Sequence, residues 1–106
     1  GGAVNAAFLN FSKALSKRGL VDGVNVNSIN PGMTSTDRLI TIIQSNADRE
    51  GISFAEAEKK ALENIGLDRF GTPEEVAELT YFLCNPNMRH LTGTEINLDG
   101  GKKTTI

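Results

Sequence analysis

Apolar positions near the start of the chain recur at helical spacing. Val4, Ala7, Phe8, Phe11 and Leu15 follow the i, i+3, i+4, i+7 pattern of a buried stripe. The spacing predicts a helix over residues 2–18. Ala6 and Leu9 add a second apolar strip, which suits a helix packed on a sheet with one face and on a neighbouring subunit with the other. Lys17 and Arg18, followed by Gly19, read as a stop: cations in the last turn, then a C′ glycine. Val21-Asp22-Gly23 then reads as a turn.

The pattern changes period at Val24. Val24, Val26 and Ile29 mark a strand over 24–29, which Pro31 ends because it cannot donate to a ladder. Ser35 or Thr36 can cap the next helix, with Asp37 in its first turn. Leu39, Ile40, Ile42 and Ile43 crowd more bulk into that helix than one stripe needs, which points to a segment covering core or a ligand. Glu50-Gly51-Ile52 breaks it.

Ser53-Phe54-Ala55-Glu56 is a capping box opening a third helix, with Phe54, Ala57, Ala61, Leu62 and Ile65 on one side. Glu56 and Lys60 form an i, i+4 pair on the other, worth about 0.3 kcal/mol. Thr72-Pro73-Glu74-Glu75 is the strongest local signal: threonine at N-cap, proline at N1 and glutamate at N3 agree on one helix start. Val76, Leu79, Thr80 and Leu83 form its stripe, and Asn85-Pro86-Asn87 stops it. A last strand over 94–98 leads to Asp99-Gly100-Gly101 and a tail, Lys102 to Ile106.

The order is helix, strand, three helices, strand. Two strands joined by a long helical crossover should run parallel with a right-handed connection. The fold class is therefore α/β, a portion of a Rossmann-like doubly wound parallel sheet. Two strands do not make an independently stable sheet, and at least one edge lacks a partner. The isolated chain is expected to be marginal unless it self-associates.

The polar turn Asn27–Asp37 stands where an open α/β sheet places its ligand crevice, beyond the end of a strand. Composition adds mainly exclusions. With 106 residues the chain allows one domain, and a net charge of −2 gives no footprint for nucleic acid or an anionic membrane. No run reaches the roughly 18 apolar residues of a membrane-spanning helix. Gly-Gly-Ala-Val-Asn at the start has no signal-peptide form. A lone cysteine, Cys84, precludes an intrachain disulfide and favours a cytoplasmic setting; it reads as a buried structural thiol. One histidine, His90, and one cysteine make no metal constellation. The single tyrosine, Tyr81, reads as a packing residue.

Three motifs occur in order: Val26-Asn27-Ser28-Ile29-Asn30-Pro31-Gly32 with Thr36 four residues on; Arg69-Phe70-Gly71-Thr72-Pro73-Glu74-Glu75-Val76-Ala77 followed by Phe82-Leu83; and Thr92-Gly93-Thr94-Glu95-Ile96-Asn97-Leu98-Asp99-Gly100-Gly101. Together with the helix from Asn5 to Leu15, they resemble the C-terminal part of a short-chain dehydrogenase/reductase over nearly the whole chain. The resemblance implies one segment of a single Rossmann domain: a helix at 1–19 bearing the usual active-site position, substrate-loop helices at 36–66, and the last helix and strand at 72–101. It implies an NAD- or NADP-dependent oxidoreductase acting on a small carbonyl or alcohol, assembled as a homodimer or homotetramer through the first helix and the last helix and strand.

Site residues follow from the same resemblance. Pro31, Gly32, Met33 and Thr34 would lie against the nicotinamide, since glycine has no Cβ to hold a flat ring away. Thr36 would bond the carboxamide or diphosphate, a role that can coexist with capping. Leu39, Ile40 and Ile43 would form one wall of an apolar substrate pocket, although ordinary packing explains them nearly as well. The departures are equally specific. No G-x-G-x-x-G turn and no catalytic serine are present. The family's Tyr-x-x-x-Lys aligns with Gly1 and Asn5, so neither side chain of that acid pair stands at its place, though Asn5 can still bond a ribose hydroxyl. The chain alone is expected to be inactive. The rival expectation is a non-catalytic, family-derived module for oligomerisation.

Overall fold

Residues 2–101 are described by a computed structural model. Gly1, aligned with the family's tyrosine, and the tail from Lys102 lie outside the described residues. The elements run α1 (Gly2–Asp22), β1 (Ser28–Pro31), α2 (Asp37–Glu50), α3 (Phe54–Ile65), α4 (Pro73–Leu83), a 3₁₀ turn (Pro86–Met88) and β2 (Glu95–Leu98). This is the expected order with one short turn added. β1 and β2 form a two-stranded sheet. Ser28 N donates to Thr94 O at 2.9 Å and Gly32 N to Leu98 O at 2.9 Å, so both strands advance together and the pair is parallel.

The chain divides into two compact units. One draws on the stretch ending at Asn30 together with Ala77–Asn97; the other draws on Pro31–Val76 and the stretch from Leu98.

In the first unit, α1 runs past the expected stop. Gly19 is an ordinary helical residue, and the left-handed position falls at Gly23 (φ 74°). The reason is tertiary. Val24 N returns to Gly19 O at 2.8 Å, and a Cβ on Gly19 would sit 2.2 Å from Val24 O. Gly19 is needed because the chain doubles back against the helix there. An Arg18–Asp22 pair at 3.1 Å spans the added turn.

The stripe on α1 is the larger correction. Val4, Phe8 and Phe11 are 72%, 62% and 64% exposed, and Leu15 is exposed too. Ser16 is the buried side chain of that helix, its hydroxyl donating to Lys13 O at 2.6 Å. Nothing among the described residues covers the apolar face.

The first strand is shorter and later than its apolar alternation implied. Residues 24–27 lie outside the strand and are held mostly by side chains, with Val26 O accepting from Gly93 N at 2.7 Å. Asn25 Nδ2 donates to the carbonyls of Met88, Arg89 and Leu91, and Asn27 Nδ2 donates to Leu91 O at 2.9 Å. Thr92 Oγ1 accepts from Val26 N at 2.9 Å. Pro31, expected to lie beyond the strand, is its last residue. Even-numbered amides of β1 face β2, so the odd position 31 needs no N–H for the pairing. Cys84 and Tyr81 are both exposed, against the expectation of buried packing.

The second unit holds the core. Leu39, Ile43 and Ala47 of α2 pack with Ala57 of α3 and with Phe70, and Phe54, Ala61, Leu62 and Ile65 close around them. Both stripes thus meet each other. Thr36 caps α2 through its hydroxyl, and Gly51 (φ 69°) ends it in the left-handed region. In α3 the Glu56 carboxylate accepts from Ser53 Oγ at 3.2 Å, and Lys60 pairs with Glu50 at 3.2 Å instead of with Glu56. Glu56 is already engaged at its own helix start.

Replacing a helical glycine by alanine ordinarily adds about 1 kcal/mol of stability. Gly19→Ala should do the opposite, losing about 1–3 kcal/mol because backbone must move to admit the methyl. A lower urea midpoint with unchanged helical circular dichroism is the expected result.

Candidate functional site

The second unit carries the turn that the sequence singled out. β1 delivers Pro31 and Gly32 to the rim, and Gly32 N donates to Leu98 O. A Cβ on Gly32 would lie 2.8 Å from Asp99 Cβ and 2.9 Å from Asp99 Cα. The missing side chain is therefore used by the protein itself. Gly32 lets the backbone at Asp99 pass against the end of β1, besides any ligand it lets approach.

The next residues are tied down from outside the turn. Gly71 N donates to Met33 O at 2.9 Å, and Ser35 N donates to Gly71 O at 2.8 Å. These two bonds make an isolated parallel bridge between Thr34 and Gly71. Thr34 Oγ1 donates to Gly32 O at 3.0 Å, and Thr36 N donates to Thr34 O at 2.8 Å. Thr36 Oγ1 accepts from Leu39 N at 3.3 Å, using a lone pair and leaving its own hydrogen to donate. Pro31, Gly32, Met33, Thr34 and Thr36 are thus brought together as one fixed lip.

Gly71 is fixed in turn by the start of α4. Thr72 and Glu75 form a reciprocal capping box: Glu75 N donates to Thr72 Oγ1 at 3.1 Å, and Thr72 N donates to Glu75 Oε1 at 3.0 Å. Arg69 grips the same carboxylate with two nitrogens, at 2.7 and 3.3 Å, and also donates to Phe70 O at 3.0 Å. The Arg69 guanidinium first, then the Thr72 amide, hold the Glu75 carboxyl down at about 2, while its partial burial opposes them. Bonding to Glu75 raises Arg69 in return. Both groups are charged at neutral pH.

A cavity of about 580 Å³ opens beside the lip, lined by Met33, Leu67, Arg69, Gly71, Glu75 and Asp99 among others. Of the residues the sequence nominated for the site, only Met33 lines it. Leu39 and Ile43 are spent on the core, Ile43 at 3% exposure. Ile40 is exposed and borders a separate, shallower depression of about 450 Å³ with Thr41, Gln44, Ser45 and Asp48. Asn5 is exposed on the first turn of α1, in the other unit. Arg69, Gly71, Glu75 and Asp99 stood in the sequence motifs without a site role. The capping box announced Glu75 as a cap, but nothing in the spacing announced Arg69 as its partner.

Among the described residues no helix is long and apolar enough to cross a membrane, and no three His, Cys, Asp or Glu side chains cluster as metal ligands.

Residues 2–103 match the family model described as Enoyl-(Acyl carrier protein) reductase. The chain is similar to the NADPH-dependent reductase BacG of Bacillus subtilis, 34% identical over 103 residues that cover 97% of this chain and 40% of that protein. Among solved structures it resembles a short chain dehydrogenase family protein from Francisella tularensis, with a TM-score of 0.85 at 34% identity over 94% of this chain and 41% of the other. It also resembles L-sorbose reductase from Gluconobacter frateurii, solved with NADPH and L-sorbose, with a TM-score of 0.87 at 29% identity over 95% of this chain and 39% of that one. The chain spans about two-fifths of the length of each of these proteins.

Gly32 on the lip and Gly71 behind it should respond differently to alanine. Gly32→Ala must displace the Asp99 backbone and should cost about 1–3 kcal/mol. A Cβ on Gly71 meets only ordinary contacts, at 3.7 Å from Met33 O and 3.8 Å from Thr34 Oγ1, so Gly71→Ala should fall within about 1 kcal/mol of wild type. Urea unfolding of the two variants reads the difference.

The Glu75 carboxyl makes a separate, signed prediction. Its depressed pKa contributes stability that is present above the ordinary value of 4.5 and lost as pH falls through about 2. The stability gap between wild type and Glu75→Gln should be constant above pH 5 and close steadily between pH 4.5 and 2. Denaturant midpoints across that range measure it.

Proposed function

This chain belongs to the short-chain dehydrogenase/reductase family, and on that premise we propose that the protein carrying it moves a hydride between a nicotinamide dinucleotide and a carbonyl/alcohol pair. The observation that carries the reading is the lip Gly32–Thr36, held rigid by Gly71 at the end of a parallel strand. Its donor and acceptor set suits a primary carboxamide. Main-chain groups of Met33 and Thr34 and the Thr36 hydroxyl hydrogen offer both kinds of partner within a few residues.

In this reading the bound cofactor, NAD or NADP, supplies or accepts the hydride, and the chain's own residues orient it. Met33, Thr34 and Thr36 hold the carboxamide end, and Pro31 sets the angle at which the main chain enters the lip. Asn5, aligned with the family's lysine, supplies no cation, so it cannot lower a tyrosine pKa as that lysine does. Leu39 and Ile43 support the wall from behind, and Ile40 is the apolar side chain left to meet a small carbonyl or alcohol substrate. Without a proton donor of its own, the chain alone is inactive.

One observation fits a second reading as well as the first. The exposed Val4, Phe8, Phe11 and Leu15 face suits an assembly surface, as expected both of a homo-oligomeric enzyme and of a non-catalytic module. Cofactor binding separates the two. On the full-length protein, NADPH or NADH at a hundred times its Kd should stabilise by about 2.7 kcal/mol, a shift of several degrees in Tm. Thr36→Val should weaken that cofactor about fivefold, the worth of about one hydrogen bond, while Thr36→Ser should not. No Tm shift with either dinucleotide would leave the module as the surviving reading.

A further inference from the structure

The lip is exposed and short of bonds of its own. Its local links are Thr34 Oγ1 to Gly32 O and Thr36 N to Thr34 O. Its two ends are held by Gly32 N on Leu98 O and by the Thr36 cap on α2, and its middle, Met33 to Ser35, is held through Gly71, which lies close to a feature that a helix cap does not require. The capping box needs only Thr72 and Glu75. Yet Glu75 Oε1 and Oε2 also take two nitrogens of Arg69, which precedes the helix altogether. Arg69 Nη1 reaches Phe70 O as well, and the Phe70 ring is buried in the α2–α3 core. Every step from Glu75 through Arg69, Phe70 and Gly71 to Met33 and Ser35 is thus a hydrogen bond or a single residue of backbone.

We propose that Glu75 is a positioning residue: through Arg69 it clamps the Phe70–Gly71 backbone, and that backbone holds the main chain of Met33–Ser35 where it meets the cofactor. Only the last clause rests on the dehydrogenase reading. The clamp itself stands on contacts within one unit of the chain. Glu75 touches no ligand in this arrangement. It acts by denying two peptide groups the freedom to rotate, so that the carboxamide binds a preformed edge and not one that must be ordered on arrival.

Two variants separate clamp from cap. Arg69→Met removes the guanidinium and leaves the Thr72–Glu75 box whole. Glu75→Gln weakens both. The readout is amide hydrogen exchange in the full-length protein without cofactor, at Gly71 and Ser35, whose N–H groups make the two bridging bonds. Ile43 and Ala47 in the core serve as internal references. Both variants should speed exchange at Gly71 and Ser35 about tenfold and leave the references within twofold. The cofactor that binds wild type should bind about three- to tenfold more weakly to Arg69→Met, with Arg69→Lys recovering only part of the loss.

Exchange at Gly71 and Ser35 unchanged in Arg69→Met would overturn the proposal, since the cap alone would then hold the turn. An equal rise at Ile43 and Ala47 would overturn it too, as general destabilisation. Faster exchange with unchanged cofactor affinity would remove the positioning role. Wild-type protein that binds neither dinucleotide would sink the dehydrogenase reading, while the exchange data still decide whether the clamp exists.

Discussion

The lip of the second unit depends on two hydrogen bonds made by the backbone of one glycine. Gly71 accepts from Ser35 and donates to Met33, and so joins the turn after β1 to the start of α4. Both partners are main chain, so the junction is indifferent to most side-chain substitutions at 33 and 35. It is sensitive to anything that moves residues 69–72. Those residues are held by a core aromatic on one side, Phe70, and by a helix cap on the other. Packing and capping energies are thereby spent on fixing a stretch of exposed backbone, which could not hold its own shape.

Much of this unit could be read from the residues. The stripes on α2 and α3 meet as their spacing implied, and Thr36, Ser53 and Thr72 cap the helices they precede. Caps and stripes are local, so sequence carries them. What sequence misjudged was long-range. Gly19 looked like a helix terminator because glycine commonly takes the left-handed position, but its role is to admit Val24 O. Gly32 looked reserved for a ligand, and its bare face is filled by Asp99, 67 residues on. Arg69 pairs with Glu75 across the start of a helix, where no periodic rule applies.

The first unit shows the opposite balance. Its contacts are largely polar: asparagine amides on carbonyls, a threonine hydroxyl on an amide, and Lys13 Nζ on Gly93 O at 2.9 Å. Such bonds specify register but contribute only about 1 kcal/mol each. The bulky residues of α1 do not compensate, because they face outward. Full burial of each would be worth about 1.5–3 kcal/mol, and the sum over Val4, Phe8, Phe11 and Leu15 rivals the whole stability of a small domain, about 5–15 kcal/mol. Among the described residues that face of α1 is left exposed.

Pro31 has an effect that reaches past the site. It occupies the last place on β1, on the side turned away from β2. A strand laid along that outer edge finds an amide donor at Ile29 and none at 31, so pairing cannot propagate toward the turn. The sheet edge is open to one rung of recruitment and closed at the next. An edge of that kind keeps a donor at Ile29 while resisting the open-ended stacking that leads to aggregates. Pro31, the last residue of β1, thus also blunts the sheet's outer edge.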